Sequence, residues 1–183
     1  MSDSPILHRD IVGNELRADE GGRRVYGVVV PYNERAEIND GYGSYTEMFV
    51  RGSFARSVAE RGHKIKLLAQ HDRRRFPIGK ATSFEEHDDG LHGEFAIPNT
   101  REGDDILELV RTGTLDSFSV GFRPIHDRRQ DGIVVRAEAA LNEVSLVGLP
   151  AYDGAAVAGI RESHSLHRIP RSVAERRLRL LEL

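Results

Sequence analysis

A chain of 183 residues, 39% hydrophobic and 30% charged, has material for one ordinary core with polar surface to spare. Lys+Arg 26 against Asp+Glu 29 gives a formal net charge of -3, so nothing in the balance calls for nucleic acid or an anionic membrane as partner. The absence of cysteine excludes thiol catalysis, disulfides and thiolate metal sites, and no apolar run approaches the roughly 18 residues that a membrane span needs.

Met1-Ser2-Asp3-Ser4-Pro5 has neither the basic start nor the apolar run of a signal peptide, and an intracellular, soluble protein is the expectation. Residues 1–23 are read as an N-terminal arm. The first strand signal is Arg24 to Pro31, where Val25, Val28, Val29 and Val30 are closed by proline. Ile38 to Tyr45, rich in Gly, Asn, Asp and Tyr, reads as a loop. Ser53 is placed to cap a short helix that carries Phe54 and Val58 on one face and stops at Gly62.

Strand signals then dominate. Ile65 to Ala69 runs into Gln70-His71-Asp72, and Ile78 to Phe84 with Leu91 to Ile97 forms a pair about the polar turn Glu86 to Gly90. The spacing of Ile106, Leu109 and Val110 predicts a helix from Asp104 to Arg111, ended by Gly113. Leu115 to Phe122 and Ile133 to Val147 are strand-like, separated by the polar stretch Asp127 to Gly132. Beyond Asp153 the pattern weakens into a linker, until Ser172-Val173-Ala174-Glu175 offers a capping box for a short amphipathic helix.

The expected fold is therefore mainly β with peripheral helices, α+β in class. It has about six or seven mostly antiparallel strands forming a compact barrel, because strands and helices do not alternate regularly. The barrel domain spans 24–152, with 153–183 as linker and helix.

Three segments place polar groups within apolar strands: Leu67 to Asp72, Leu115 to Phe122 and Leu141 to Val147. A hydroxyl nucleophile needs a base to take its proton, and the base needs an orienting partner. Ser119, His71 and Glu143 can fill those roles. Strand alternation puts Ser117, Ser119 and Gly121 on one face and Glu143 with Ser145 on one face, and Gly121 would leave room for a substrate backbone. Ser117 and Ser145 are the competing hydroxyls, and Asp72 is the rival to Glu143. The segment lacks the first glycine of the hydrolase nucleophile elbow, which argues against an α/β-hydrolase. No His-Glu-x-x-His occurs, and His87, His92, His164 and His167 read as surface histidines; no metal or cofactor is expected.

In order along the chain, several segments together resemble the caudovirus prohead serine protease family. They are Arg51-Gly52-Ser53-Phe54, Leu67 to Asp72, Ile78-Gly79, Gly90-Leu91, Leu109 to Gly113, Ser119-Val120-Gly121-Phe122, Glu143 to Val147 and Pro150-Ala151-Tyr152. The resemblance implies an assemblin-like β-barrel and a serine endopeptidase of phage head maturation. It implies His71 as base and Ser119 as nucleophile, and the place of the third member falls on Glu143. It implies the major capsid protein with its scaffold region as substrate, and action inside the assembling prohead in the host bacterial cytoplasm. Self-cleavage between Asp153 and Arg168 and a dimer are further expectations, and the turn Gly148 to Ala151 is the candidate oxyanion site. The alternative is a catalytically silent assembly scaffold with the same fold.

Overall fold

The computed structural model describes residues 5–11, 16–18, 22–40 and 43–148. The chain divides into two units, Met1–Asp153 and Gly154–Leu183. The expected linker and capping-box helix after Asp153 lie outside the described residues.

The first unit is built on one curled, half-barrel sheet. Its strands are β1 (Leu7–Ile11), β2 (Arg17–Ala18), β3 (Arg24–Pro31), β4 (Ala36–Asp40), β5 (Gly43–Phe49), β6 (Lys66–Ala69), β7 (Gly79–Glu86), β8 (Gly90–Ala96), β9 (Ser117–Gln130) and β10 (Ile133–Val147). Along the sheet they run β1-β9-β10-β6-β7-β8-β3-β2, and β4 joins through β5, which pairs with β10. The pairings are antiparallel except for β5 and β6, which both run parallel to β10. Among the described residues the helices are α1 (Ala55–Arg61), followed by a single 3-10 turn at Gly62–Lys64, and α2 (Arg101–Arg111).

The long strand β10 organises the rest. One of its edges holds β9 along nearly its whole length. Its other edge meets β5 at Ile133 to Arg136 and β6 at Val144 to Leu146. The stretch between those contacts is satisfied from α1 and the turn before it: Ala139 N–H donates to Ser53 O at 2.8 Å, and Leu141 N–H to Ser57 Oγ at 2.8 Å. Buried donors are thus paired without a strand, as a dry interior requires. Phe49, Phe54, Phe95, Phe118 and Phe122 fill the concave side with Leu67, Leu91, Val120, Val144 and Leu146.

The structure departs from the sequence expectations at several elements. Residues before Arg24, expected as an arm, supply β1 and β2 to the sheet. The expected loop at Ile38 to Tyr45 is a hairpin in which Ile38 pairs with Tyr45 and is buried. Ser53 does not cap α1, whose N-cap is Phe54. It is buried instead, and its hydroxyl ties the turn to Val50 and to Arg136 O (2.7 Å). Helix α2 begins at Arg101 because Thr100 Oγ1 accepts from Gly103 N–H at 3.1 Å, a cap four residues upstream of the acidic pair that marked its start. The polar stretch after Phe122 is largely strand: β9 runs on to Gln130 and turns at Asp131-Gly132, both with positive φ (51° and 80°). That dipeptide is the hairpin turn which polar composition alone disguised as a loop.

A buried charge cluster fastens β1 to this frame. Glu47, 1% exposed, receives Arg9 Nε and also Arg136, whose Nε and Nη2 lie 2.8 and 2.6 Å from Glu47 Oε2. Arg136 Nη1 also donates to Asp127 Oδ2 at 2.5 Å, and both guanidinium groups lie over the Phe122 ring. Removing the central carboxylate takes from Arg9 and Arg136 the buried anion they share, and breaking such a pair typically costs about 3–5 kcal/mol. Glu47→Ala is therefore expected to lower the unfolding free energy by roughly that amount in urea denaturation. A loss below about 1 kcal/mol would place this cluster among weak surface pairs.

Candidate active site

Ser119 lies in the part of β9 that is buried on both faces, Ser117 to Phe122. Opposite it in β10 stands Ser145, with Val144 opposite Val120 and Glu143 opposite Gly121. Between Leu141 and Glu143 the register shifts by a β-bulge at Asn142. The bulge has a geometric consequence. Simple alternation would put Leu141 and Glu143 on one face, but the extra residue lets Leu141 enter the core beside Phe122 while Glu143 joins Ser145 and Ser119 on the other face.

His71 arrives from the end of β6. Gln70 and His71 both adopt left-handed backbone, with φ of 52° and 57°. Two consecutive non-glycine residues in that region are costly, and surrounding bonds must hold them. Gln70 N–H donates to Leu146 O at 3.0 Å, His71 N–H to Ser145 Oγ at 3.2 Å, and Asp72 N–H to Ala69 O at 3.0 Å. The tight turn swings the imidazole back over β10 and β9.

The result is a continuous polar chain. His71 Nε2 lies 2.5 Å from Ser119 Oγ, and His71 Nδ1 lies 2.6 Å from Glu143 Oε1. The other carboxylate oxygen accepts from Ser145 Oγ at 2.8 Å. Burial by itself would raise the Glu143 pKa, but hydrogen bonds from His71 and His8, the His71 charge and the Ser145 hydroxyl outweigh it and hold the group at about 2. The carboxylate is therefore ionised across the neutral range, able to hold an imidazole N–H and to stabilise an imidazolium.

The neighbouring candidates have other partners. Asp72 Oδ1 accepts from Arg74 N–H at 2.9 Å, in its own turn. Ser117 donates to Asp116 Oδ1 at 2.8 Å. Ser145, one of the competing hydroxyls, bridges the His71 backbone and the Glu143 carboxylate as a positioning link. Gly121 differs from expectation as well: its missing side chain makes room for Glu143, whose Cγ and Cδ would stand 3.0 Å from a Cβ there, rather than for a substrate backbone. Most of the turn proposed for oxyanion binding, residues 149–151, lies outside the described residues.

His8 was not anticipated. It sits on β1 opposite Gly121, and its Nδ1 lies 2.9 Å from His71 Nδ1 and 3.3 Å from Glu143 Oε1. Leu7-His8-Arg9-Asp10-Ile11 places three polar residues between two apolar ones, so periodicity offered no strand signal there.

With this geometry in hand, comparison with known proteins gives a consistent picture. A sequence profile of the caudovirus prohead serine protease family matches residues 13–169. The prohead protease of Enterobacteria phage HK97 is 24% identical over 138 residues, 73% of this chain and 61% of that protein. The prohead protease of Escherichia phage T5 is 36% identical over 87 residues, 46% of this chain and 40% of that protein. The match thus spans less than two thirds of each relative's length. Among solved structures, the bacteriophage T4 capsid assembly protease superposes with a TM-score of 0.57 over 81% of this chain and all of its own, at 11% identity. That likeness is one of fold.

Two outcomes follow from the packing and charge at the site. Gly121→Ala should displace Glu143 and abolish the low-field proton resonance of a hydrogen-bonded His71 Nδ1–H, with circular dichroism unchanged. A retained resonance would show that Glu143 does not depend on that vacancy. For the depressed Glu143, the stabilisation is present above the unfolded carboxylate pKa and is lost as pH falls toward about 2. The stability advantage of wild type over Glu143→Gln in denaturant titrations should therefore narrow between about pH 5 and pH 2. A constant advantage would mean that the charge contributes nothing.

Proposed function

Because the chain belongs to the caudovirus prohead serine protease family, we propose that it is the maturation protease of a phage head, with Ser119 as nucleophile, His71 as general base and Glu143 as the orienting carboxylate. The observation that carries this reading is the unbroken chain from Ser119 Oγ through both ring nitrogens of His71 to Glu143.

The chemistry runs through that chain. His71 holds its proton on Nδ1, directed at Glu143, which leaves the Nε2 lone pair facing Ser119. As Ser119 Oγ attacks a peptide carbonyl, its proton passes to Nε2 and the carbonyl π electrons move to oxygen. The imidazolium forms beside an ionised carboxylate, then returns its proton to the leaving amine. Water repeats the sequence on the acyl-enzyme, restoring Ser119 and releasing the new carboxylate. Ser145 keeps the carboxylate from rotating, and the turn beginning at Gly148 is the proposed source of oxyanion donors.

The proposed substrates are the major capsid protein with its scaffold region and the chain's own segment between Asp153 and Arg168, acted on inside the prohead in the host cytoplasm. Among the described residues no helix is long and apolar enough to cross a membrane. Co-expression with the major capsid protein of the same phage tests the reading. Wild type should shorten the capsid protein. Ser119→Ala and His71→Ala should reduce the rate by about 10³-fold or more, and Ser117→Ala should leave it near wild type. Proheads that form with capsid protein of full length, whichever variant is present, would favour the silent scaffold instead.

A further inference from the structure

Two imidazoles and a carboxylate converge beside Ser119 more closely than the hydrolytic chain requires. His8 Nδ1, His71 Nδ1 and Glu143 Oε1 are separated by 2.9, 3.3 and 2.6 Å. The residues come from β1, the turn after β6, and β10, so their spacing is set by strand pairing and not by one flexible loop. Ligand atoms around a tetrahedral zinc ion at about 2.0–2.2 Å stand roughly 3.3 Å apart. Side-chain movements of a few tenths of an ångström would open the triangle to that size.

We propose that His8, His71 and Glu143 form a binding site for a divalent transition-metal ion of the zinc class, and that its occupation turns the protease off. The inhibitory half of this proposal rests on the reading of His71 as general base; the binding half does not. Two imidazole nitrogens and one carboxylate suit zinc and its neighbours far better than magnesium or calcium, which prefer oxygen throughout. His8 is 41% exposed on its side chain, which gives an ion and its remaining water ligand a way in. Glu143 is already oriented by Ser145 through Oε2, leaving Oε1 for the metal.

Inhibition follows from the tautomer. In the working state the His71 proton is on Nδ1 and the Nε2 lone pair accepts from Ser119. A metal ion bound through Nδ1 needs the lone pair of that nitrogen, so the single ring proton must move from Nδ1 to Nε2. Nε2–H then donates to Ser119 Oγ at the same contact. The ring keeps its proton count, but no base remains to take the serine proton. His8 likewise binds as a neutral imidazole with its proton on Nε2.

A second trio, His87, Asp89 and His92, lies at the β7–β8 turn on the surface and provides the control. The experiment titrates the purified full chain with Co²⁺, followed by its visible tetrahedral absorption, then with Zn²⁺ by calorimetry, and measures capsid-protein cleavage alongside. Wild type and the inactive Ser119→Ala should both show the tetrahedral band, and zinc should displace it. Cleavage should fall in step with zinc occupancy and return with a chelator. His8→Ala and His8→Gln, each shown to be folded by circular dichroism, should lose the band and need at least about tenfold more zinc for the same occupancy. The double variant His87→Ala/His92→Ala should keep both basal cleavage and zinc sensitivity.

Absence of the tetrahedral band from wild type and Ser119→Ala, or its persistence in both His8 variants, overturns the site. Zinc that binds there yet leaves cleavage unchanged or raises it overturns the inhibitory role. A chain that never cleaves capsid protein but binds cobalt through His8 would retain the site and refute the protease reading instead.

Discussion

The pairing of β10 with β9, and the one-residue slip within it, is the constraint on which the candidate site depends. β9 contributes Ser119 and β10 contributes Glu143, yet these residues are useful to each other only if they face the same side of the sheet. Leu141 lies in the core opposite Phe122, so unbroken alternation would have buried position 143 there as well. The bulge at Asn142 reverses the alternation once, and from Glu143 onward the strand presents acid, serine and core residues in the order the site uses. Gly121 is the complement of that device. Directly across from Glu143, it gives up its own side chain so that the carboxylate can lie flat against β9.

Rigid surroundings keep these placements. The left-handed turn at Gln70 and His71 would not persist alone; it is held by a backbone carbonyl of β10 and by the hydroxyl of Ser145. Ser145 thus accepts from the His71 backbone N–H with one lone pair and donates its proton to the Glu143 carboxylate. On the other side of β9, the Arg9–Glu47–Arg136 cluster pins β1, which carries His8 to the edge of the site. Buried ion clusters of this kind specify position more than they add stability, since the desolvation of each charge offsets much of the attraction.

Much of this was legible from residue types. Runs of β-branched residues marked β3 and the start of β10, and alternation placed Ser117, Ser119 and Gly121 together on one face of β9. The mainly β class with few helices, and the likeness to prohead proteases, also came from the order of short segments. What escaped reading depended on contacts between distant parts of the chain. No local pattern says that Ser53 will bond to Arg136 O instead of capping α1, or that Asp127 to Gln130 will extend a strand because Arg136 lies across from Asp127. His8 escaped for a related reason: an exposed histidine near a terminus has no meaning until β1 is laid beside β9. The role of Gly121 was misjudged because its neighbour across the sheet depends on a bulge that sequence periodicity does not reveal.

The most direct test of the central claim is to find which hydroxyl the polar chain activates. Full-length protein would be treated with a fluorophosphonate, which phosphonylates a serine only when a neighbouring base accepts its proton, and the adduct mapped by peptide mass spectrometry. The account predicts a single adduct on Ser119 that disappears in His71→Ala. An adduct on Ser117 or Ser145, or one on Ser119 that persists without His71, would contradict it.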